Sequence, residues 1–174
     1  MNWTELLKAE IETTYAGTER LLDKVDADSL NWKPATGGNW MTVGQLLLHT
    51  AGACGAVCKG FVTGDWGMPE GAKLEDLPPE EMLPPAEKLP AAGSVREAKE
   101  LLAADKVLAL KMIDQAGEKD LAGRITAAPW APELKCPLGR HLLRMVQHLG
   151  SHKAQLFYYL KLQGKPVDTG DLWG

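Results

Sequence analysis

The sequence of 174 residues has little of several features that mark specialised classes of protein. Its 19 basic residues are outnumbered by 23 acidic ones, and the net charge of −4 gives no support to nucleic-acid binding. The N-terminus has no basic region followed by an apolar run, so it does not resemble a secretory signal. We therefore expect a cytoplasmic location.

Cysteine is also scarce, and the chain contains only Cys54, Cys58 and Cys136. Their number is odd, and they form no CxxC motif. A disulfide framework is not expected, and free cysteines packed as small apolar residues are the simpler interpretation. Long apolar runs are missing as well. The most apolar stretch, residues 43–62, is interrupted by a glutamine, a histidine, a lysine and four glycines, which makes it too polar for a membrane span.

The remaining composition is that of an ordinary globular protein, with 45% hydrophobic and 24% charged residues. We expect residues 1–174 to form one domain. Apolar periodicity predicts four helices, and capping boxes (Thr42 with Gln45, Ser94 with Glu97) mark the start of the second and third. Their predicted ranges are 3–25, 42–62, 94–116 and 137–163.

Two segments between these helices read as loops. Residues 65–93 hold six of the eleven prolines, and a connection this long is usually functional or mobile. Residues 121–135 contain two prolines around Trp130 and read as a loop with a possible short extended piece at 125–126. Four helices without a strong strand pattern predict an all-α fold, an antiparallel four-helix bundle.

Three of the four histidines stand where metal ligands could stand. His148 and His152 belong to the motif HLGSH, and residues four apart on a helix share one face at about 5–6 Å between their Cβ atoms. His49, from the second helix, would supply a third ligand. Three neutral imidazoles suit zinc, nickel or iron(II) and leave a position open for water or substrate. The alternative is a set of hydrogen-bonded core histidines, since HxxxH often arises by chance.

Other polar side chains share these helical faces. Gln45 is explained by its capping box, with a role behind a ligand histidine as the second interpretation. Gln155 either orients a ligand histidine or bonds across the bundle. Tyr159 reads as a core residue. His141 lies two turns before His148, roughly 10 Å along the axis, so we expect it to line the pocket mouth or cap the helix.

The histidine motif lacks the acid of zinc proteases, because Leu149 follows His148 where those enzymes have glutamate. Hydrolysis would need metal-bound water to act without an identified general base. A reaction of a thiol would not need a general base, because a metal can deprotonate a coordinated thiol. A low-molecular-weight thiol at the open position would then be a nucleophile.

Two blocks of the sequence resemble DinB/YfiT-like proteins, and the resemblance covers nearly the whole chain. The first block is WMTVGQLLLH at residues 40–49, with the tryptophan, the helix cap and the first histidine of that family. The second is HLGSHKAQL at residues 148–156, followed by Tyr159-Leu160 and Gly164. The sequence departs from the family at Lys153-Ala154, where arginine-glycine is common.

This resemblance implies a bundle with an up-down-down-up course, in which the Pro-rich residues 65–93 cross between helices two and three. It implies a divalent metal ion on His49, His148 and His152, and often a homodimer. Some relatives are S-transferases or isomerases that use mycothiol or bacillithiol, and others are regarded as metal hydrolases. Two function classes follow: a metal-dependent enzyme acting on a small molecule, or a non-catalytic metal-binding or stress-associated dimer.

Overall fold

Helices dominate the computed structural model, which describes residues 2–72 and 74–173. The predicted mostly helical character is confirmed. The helices are α1 (Trp3–Leu22), α2 (Val43–Ala51), α3 (Gly55–Thr63), α4 (Pro79–Met82), α5 (Val95–Gly123), α6 (Leu138–Leu162) and α7 (Thr169–Trp173). Short 3-10 turns lie at Ala27–Ser29, Leu74–Asp76 and Ala86–Lys88.

The core lies where the long helices turn their apolar stripes toward one another. Helix α1 packs against α5 and α6, α3 packs mainly against α5, and α2 contacts both α5 and α6. Each stripe follows the three-to-four-residue spacing of an amphipathic helix. Fully buried members are Leu7, Ile11, Leu46, Leu47, Ile113, Leu142, Leu149 and Leu156. This packing sets α2 beside α6, the two helices that carry the three histidines.

A β-hairpin corrects the all-α prediction. Strand β1 (Ile125–Ala128) pairs antiparallel with β2 (Ala131–Pro137), in the stretch read as a loop over residues 121–135. Pro129 lies in the turn between the strands, and Pro132 is tolerated in β2 because a strand of a two-stranded sheet has a free edge. Four consecutive residues of β2 are exposed, so the strand has no alternation of buried and exposed residues for a sequence to display.

The apolar segment predicted as one helix over 42–62 is two helices, because the chain turns between α2 and α3 at residues 52–54. The carboxylate of Asp105 on α5 caps the new helix start, accepting from the backbone N–H groups of Gly55 and Ala56, each at 2.8 Å. A Cβ on Gly55 would lie 2.1 Å from the backbone oxygen of Asp105. Glycine therefore allows α5 to approach this turn closely.

By length and composition alone, Val43–Thr63 could cross a membrane, with a mean hydropathy of 1.3 in its most apolar window. In the folded chain 56% of that window is buried inside the protein. The core packing of α2 and α3 accounts for this apolarity.

Helix α5 runs further than the predicted range of 94–116. Gly117 adopts φ 67° and ψ 166°, a conformation open to glycine, and helical structure resumes after it as far as Gly123. The carboxylate of Glu118 then accepts from the backbone N–H of Trp3 at 3.2 Å and of Thr4 at 3.0 Å, so it caps α1. This contact ties the segment that follows Gly117 to the start of α1.

The end of the 65–93 connection is fastened to the start of α2. The backbone N–H of Ala92 donates to Gly44 O at 2.9 Å, and the Gln45 side chain donates to the carbonyls of Glu87 and Leu89 at 3.1 and 2.7 Å. These bonds hold Leu89 and its neighbour Pro90 beside the helix that carries His49.

Candidate metal centre

The structure brings His49, His148 and His152 together. His49 lies in the last turn of α2, and the other two lie on one face of α6. The ring centroid of His49 is 5.5 Å from that of His148 and 4.5 Å from that of His152, and the last two rings are 4.6 Å apart. One ring nitrogen from each residue lies within 4.8 Å of the other two, and all three residues are half-buried.

The turn between α2 and α3 orients His148. The Nδ1 atom of His148 lies 3.2 Å from the carbonyl oxygen of Ala53, which is in that turn. A carbonyl oxygen can only accept, so this contact assigns the proton of His148 to Nδ1. The Nε2 lone pair of His148 is then left facing the other histidines.

A chain of three side chains orients His152. Tyr159 donates its hydroxyl proton to Met41 O at 3.0 Å, so the hydroxyl accepts from Gln155 Nε2 at 3.3 Å. The Oε1 atom of Gln155 therefore faces His152 Nδ1 at 3.1 Å and accepts its proton. The Met41 carbonyl thus fixes the tautomer of His152 through two intermediates.

These two tautomers place two lone pairs against each other. The Nε2 atoms of His148 and His152 are 2.9 Å apart, and neither carries a proton to share. A proton or a cation between them would relieve the repulsion. Burial, reinforced by the charges of His49 and His148, lowers the pKa of His152 to about 4, which disfavours the proton at neutral pH. The donor set of three imidazoles fits a divalent metal ion.

A cavity of about 270 Å³ opens beside this cluster. Two of the three histidines, His49 and His148, form part of its wall. The remaining wall is apolar or backbone: Leu48, Gly52, Ala53, Val57, Leu89 and Pro90. Among the lining residues that the structure describes there is no carboxylate to act as a general base.

Gln45 and Tyr159 have the roles favoured by the sequence. Gln45 forms the capping box with Thr42, accepting from Thr42 N at 2.7 Å and donating its own N–H to Thr42 Oγ1 at 3.2 Å. Its amide nitrogen holds the 65–93 connection, so it acts on the wall of the cavity and not on a histidine. Tyr159 is buried in the core, and its hydroxyl supports Gln155.

His141 takes neither of its two expected roles. It is 2% exposed, stacks on Phe61 with ring centroids 4.6 Å apart, and holds Thr126 O at 3.0 Å through Nε2. It is absent from the wall of the histidine cavity and fixes the hairpin against the start of α6. The three cysteines are free and buried, as predicted.

The sequence reasoning missed the groups that support the cluster. Ala53 acts through its backbone carbonyl, which leaves no trace in the choice of side chain. Asp105 did leave a signal, because it interrupts the buried stripe of α5 between Leu102 and Ala109 at core spacing. A lone acid on such a stripe indicates a buried partner.

Comparison with protein families finds that the model of the DinB superfamily matches residues 10–156, a range that includes all three histidines. Neither the curated proteins nor the solved structures contain a match to the chain.

Proposed function

The chain belongs to the DinB superfamily, and we propose that it binds one divalent metal ion through His49, His148 and His152. The observation that carries this proposal is the 2.9 Å approach of two unprotonated Nε2 atoms, which a cation would stabilise. Zinc, nickel and iron(II) all suit three imidazoles. The Ala53 carbonyl and the Gln155 amide would hold the rings in the tautomer that ligation requires.

We further propose that the site belongs to an enzyme, because three protein ligands leave a position free and a cavity opens beside two of them. A bound ion would supply a Lewis acid that favours the anionic form of a thiol or water. The apolar wall would exclude bulk water, and none of its lining residues in the described part of the chain is a carboxylate that could activate a water molecule. Thiol-dependent S-transfer is therefore favoured over hydrolysis.

A metal titration tests the shared premise. Metal-free protein is loaded with zinc or nickel, dialysed, and its metal content measured by mass spectrometry for the wild type, His148→Ala and His141→Gln. We expect one ion per chain for the wild type and for His141→Gln, whose histidine lies against the hairpin. The His148→Ala variant should lose most of its metal. Equal metal content in the wild type and His148→Ala would refute the triad.

A group-transfer assay tests the enzyme class. Thiol and chlorodinitrobenzene are mixed with loaded protein; the sulfur–aryl bond forms, the carbon–chlorine bond breaks, and chloride and a proton are released. We expect thioether formation that depends on the metal and falls in His49→Ala. A rate equal to that of the metal-free protein would favour the alternative, a metal-binding protein without turnover.

We also propose four further features: the course of the helices, the number of domains, the oligomeric state and the cellular location. We infer an up-down-down-up course for α1, the α2–α3 pair, α5 and α6, with residues 65–93 as the crossover. We also infer a single domain over residues 1–174, a homodimer and a cytoplasmic location. Light scattering on purified protein measures the mass of the assembly and would contradict the dimer if it gave the monomer mass.

A further inference from the structure

A cavity of about 480 Å³ lies between the end of α3 and the hairpin, and we call it the hairpin cavity. Its wall consists of Gly60, Phe61, Trp66, Pro132 and residues 126–129. We propose that it binds an uncharged aromatic molecule of two fused rings that carries one hydrogen-bonding group. This inference goes beyond the proposed function, because the three histidines are not among the described residues that line the hairpin cavity.

The volume of the hairpin cavity suits a small molecule. It lies within the range of roughly 300–1,000 Å³ that is usual for ligand pockets. It also exceeds the volume of about 270 Å³ of the cavity beside the histidines. A ligand of two fused rings therefore has room in it.

Aromatic rings form one side of the hairpin cavity. The Trp66 ring packs directly on α3, because a Cβ on Gly60 would lie 2.2 Å from it. The rings of Trp66 and Phe61 meet edge to face, with centroids 5.1 Å apart. Trp130 contacts both rings in the same manner, at 5.7 and 6.0 Å between centroids. These contacts hold the two rings of the wall in place, and aromatic rings interact favourably with a further aromatic ring beyond the effect of buried area.

The wall of the hairpin cavity favours an uncharged ligand. None of its lining residues in the described part of the chain has an ionisable side chain. Arg124 contacts the backbone of this wall without being one of those residues. Its guanidinium group donates to the carbonyls of Phe61 and Val62, each at 3.2 Å, and lies 3.7 Å from the Asp120 carboxylate. The charge of Arg124 is thus already compensated, and an unpaired charge on the ligand would be buried at a cost.

The hydroxyl of Thr126 is a polar group that the fold leaves unused. Thr126 lines the hairpin cavity, and its Oγ1 atom is buried without a hydrogen bond to any described residue. Its backbone carbonyl is engaged, since His141 Nε2 donates to it at 3.0 Å. A buried hydroxyl without a partner costs free energy, and this hydroxyl can either donate or accept. A ligand with one hydrogen-bonding group would supply the missing partner.

Strand β1 is irregular where it lines the hairpin cavity. Thr126 pairs with Cys136, and the next pair is Ala128 with Ala131, so the register shifts at Ala127. Three consecutive residues of β1 line the cavity, although successive side chains of a regular strand point to opposite faces. Irregularities of this kind redirect side chains and are frequent next to active sites.

Proton–nitrogen NMR spectra of the full-length protein provide the test, because the indole N–H of Trp66 gives a signal from the wall. This signal is assigned by its absence in Trp66→Phe. The protein is titrated with 2-naphthol, with naphthalene, which lacks the hydroxyl, and with decahydro-2-naphthol, which lacks the aromatic rings. We expect 2-naphthol to shift the Trp66 signal saturably and to bind at least about threefold more tightly than either of the others.

Three outcomes of these titrations would overturn the inference. Without a saturable shift of the Trp66 signal by 2-naphthol, the hairpin cavity is not a site for this class of ligand. Equal or tighter binding of decahydro-2-naphthol would refute the preference for aromatic rings. The anionic analogue 2-naphthoate should bind at least about tenfold more weakly than 2-naphthol, and equal or tighter binding would show that Arg124 recruits an anion. None of these readouts depends on metal binding by the histidines, so the proposed function stands or falls separately.

A substitution of Thr126 tests the hydrogen bond. Thr126→Val removes the hydroxyl and keeps a β-branched side chain, which suits a strand. We expect it to bring the affinities for 2-naphthol and naphthalene to within about twofold of each other. Thr13→Val, at an exposed position of α1, is the matched control and should keep the wild-type preference. A preference for 2-naphthol that is as large in Thr126→Val as in the wild type would contradict the role of this hydroxyl, and the wild-type titrations decide the remainder whether or not the variant folds.

Discussion

Gln155 is the side chain on which the orientation of His152 depends. It accepts from His152 Nδ1 and donates to the Tyr159 hydroxyl, so its two amide ends are fixed by different partners. Partners of this kind behind a metal ligand commonly change metal affinity by about 10–100-fold when they are removed. The sequence placed Gln155 on the correct face but left two roles open, since the direction of an amide depends on partners far along the chain.

We expect Gln155→Ala to weaken metal binding by about 10–100-fold, because His152 can then rotate and change its tautomer. Isothermal titration of metal-free protein measures the affinity. Gln147→Ala is the matched control on α6, with an exposed side chain, and should bind metal like the wild type. An unchanged affinity in Gln155→Ala would show that the amide does not position the ligand.

Asp105 is the buried carboxylate that fixes the turn behind His148. It is 6% exposed, and its removal would leave the Tyr15 hydroxyl and two backbone N–H groups without their acceptor. We expect Asp105→Ala to lower the free energy of unfolding by roughly 3 kcal/mol, measured by urea denaturation.

The control for this substitution is Asp114→Ala. Asp114 forms an ion pair with Lys8 on the surface, and its side chain is 62% exposed. Its loss should change the free energy of unfolding by no more than about 1 kcal/mol. Similar losses in the two variants would mean that Asp105 acts only as a surface charge.

At the scale of elements, the break between α2 and α3 supplies the carbonyl that orients His148. The sequence predicted one helix over 42–62 because apolar periodicity persists through the turn. The four glycines of this segment disfavour a continuous helix. The break itself is made by Asp105, which lies about fifty residues later on α5. The ends of a helix can be read from local caps, whereas a break made by a distant side chain cannot.

Two glycines of α6 differ in the space around them, and this gives a prediction for the helix. A Cβ on Gly150 would meet nothing nearer than Thr14 at 4.0 Å, whereas a Cβ on Gly139 would lie 2.6 Å from the Trp3 ring. We expect Gly150→Ala to stabilise the protein by up to about 1 kcal/mol through helix propensity. Gly139→Ala should destabilise it by about 1–3 kcal/mol through overpacking.

Thermal unfolding of the two glycine variants in the metal-free state checks this prediction. Melting temperatures that move in the same direction would contradict the difference in packing. Metal-free protein is used because Gly150 lies between His148 and His152. A change in metal affinity would otherwise contribute to the melting temperature.

For the whole molecule, the long helices were predictable because each carries its own apolar stripe, and α5 also begins at a side-chain cap. Helix α6 (Leu138–Leu162) is within one residue of its predicted range at both ends. The hairpin was not predictable, since an exposed two-stranded sheet has no alternation of hydrophobic residues to read. The three histidines could be foreseen from spacing and family motifs, but the shape of the cavity depends on Leu89 and Pro90 from the connection.

Metal binding should stabilise the entire fold, because its ligands come from two helices and the unfolded chain does not hold them together. At a free metal concentration of one hundred times the dissociation constant, the gain is about 2.7 kcal/mol, or roughly 5–10 °C in melting temperature for a chain of this length. Scanning calorimetry with and without chelator measures the shift. A shift of the same size in His148→Ala would indicate binding at another place.

Anomalous diffraction at the absorption edge of the metal, from crystals of the loaded protein, tests the central claim most directly. We predict one strong peak per chain within bonding distance of a ring nitrogen of His49 and of the Nε2 atoms of His148 and His152. The Ala53 and Gln155 contacts to the two Nδ1 atoms should remain. A peak at Cys54 and Cys58 or at His141, or a metal bound by fewer than three of these histidines, would contradict the claim.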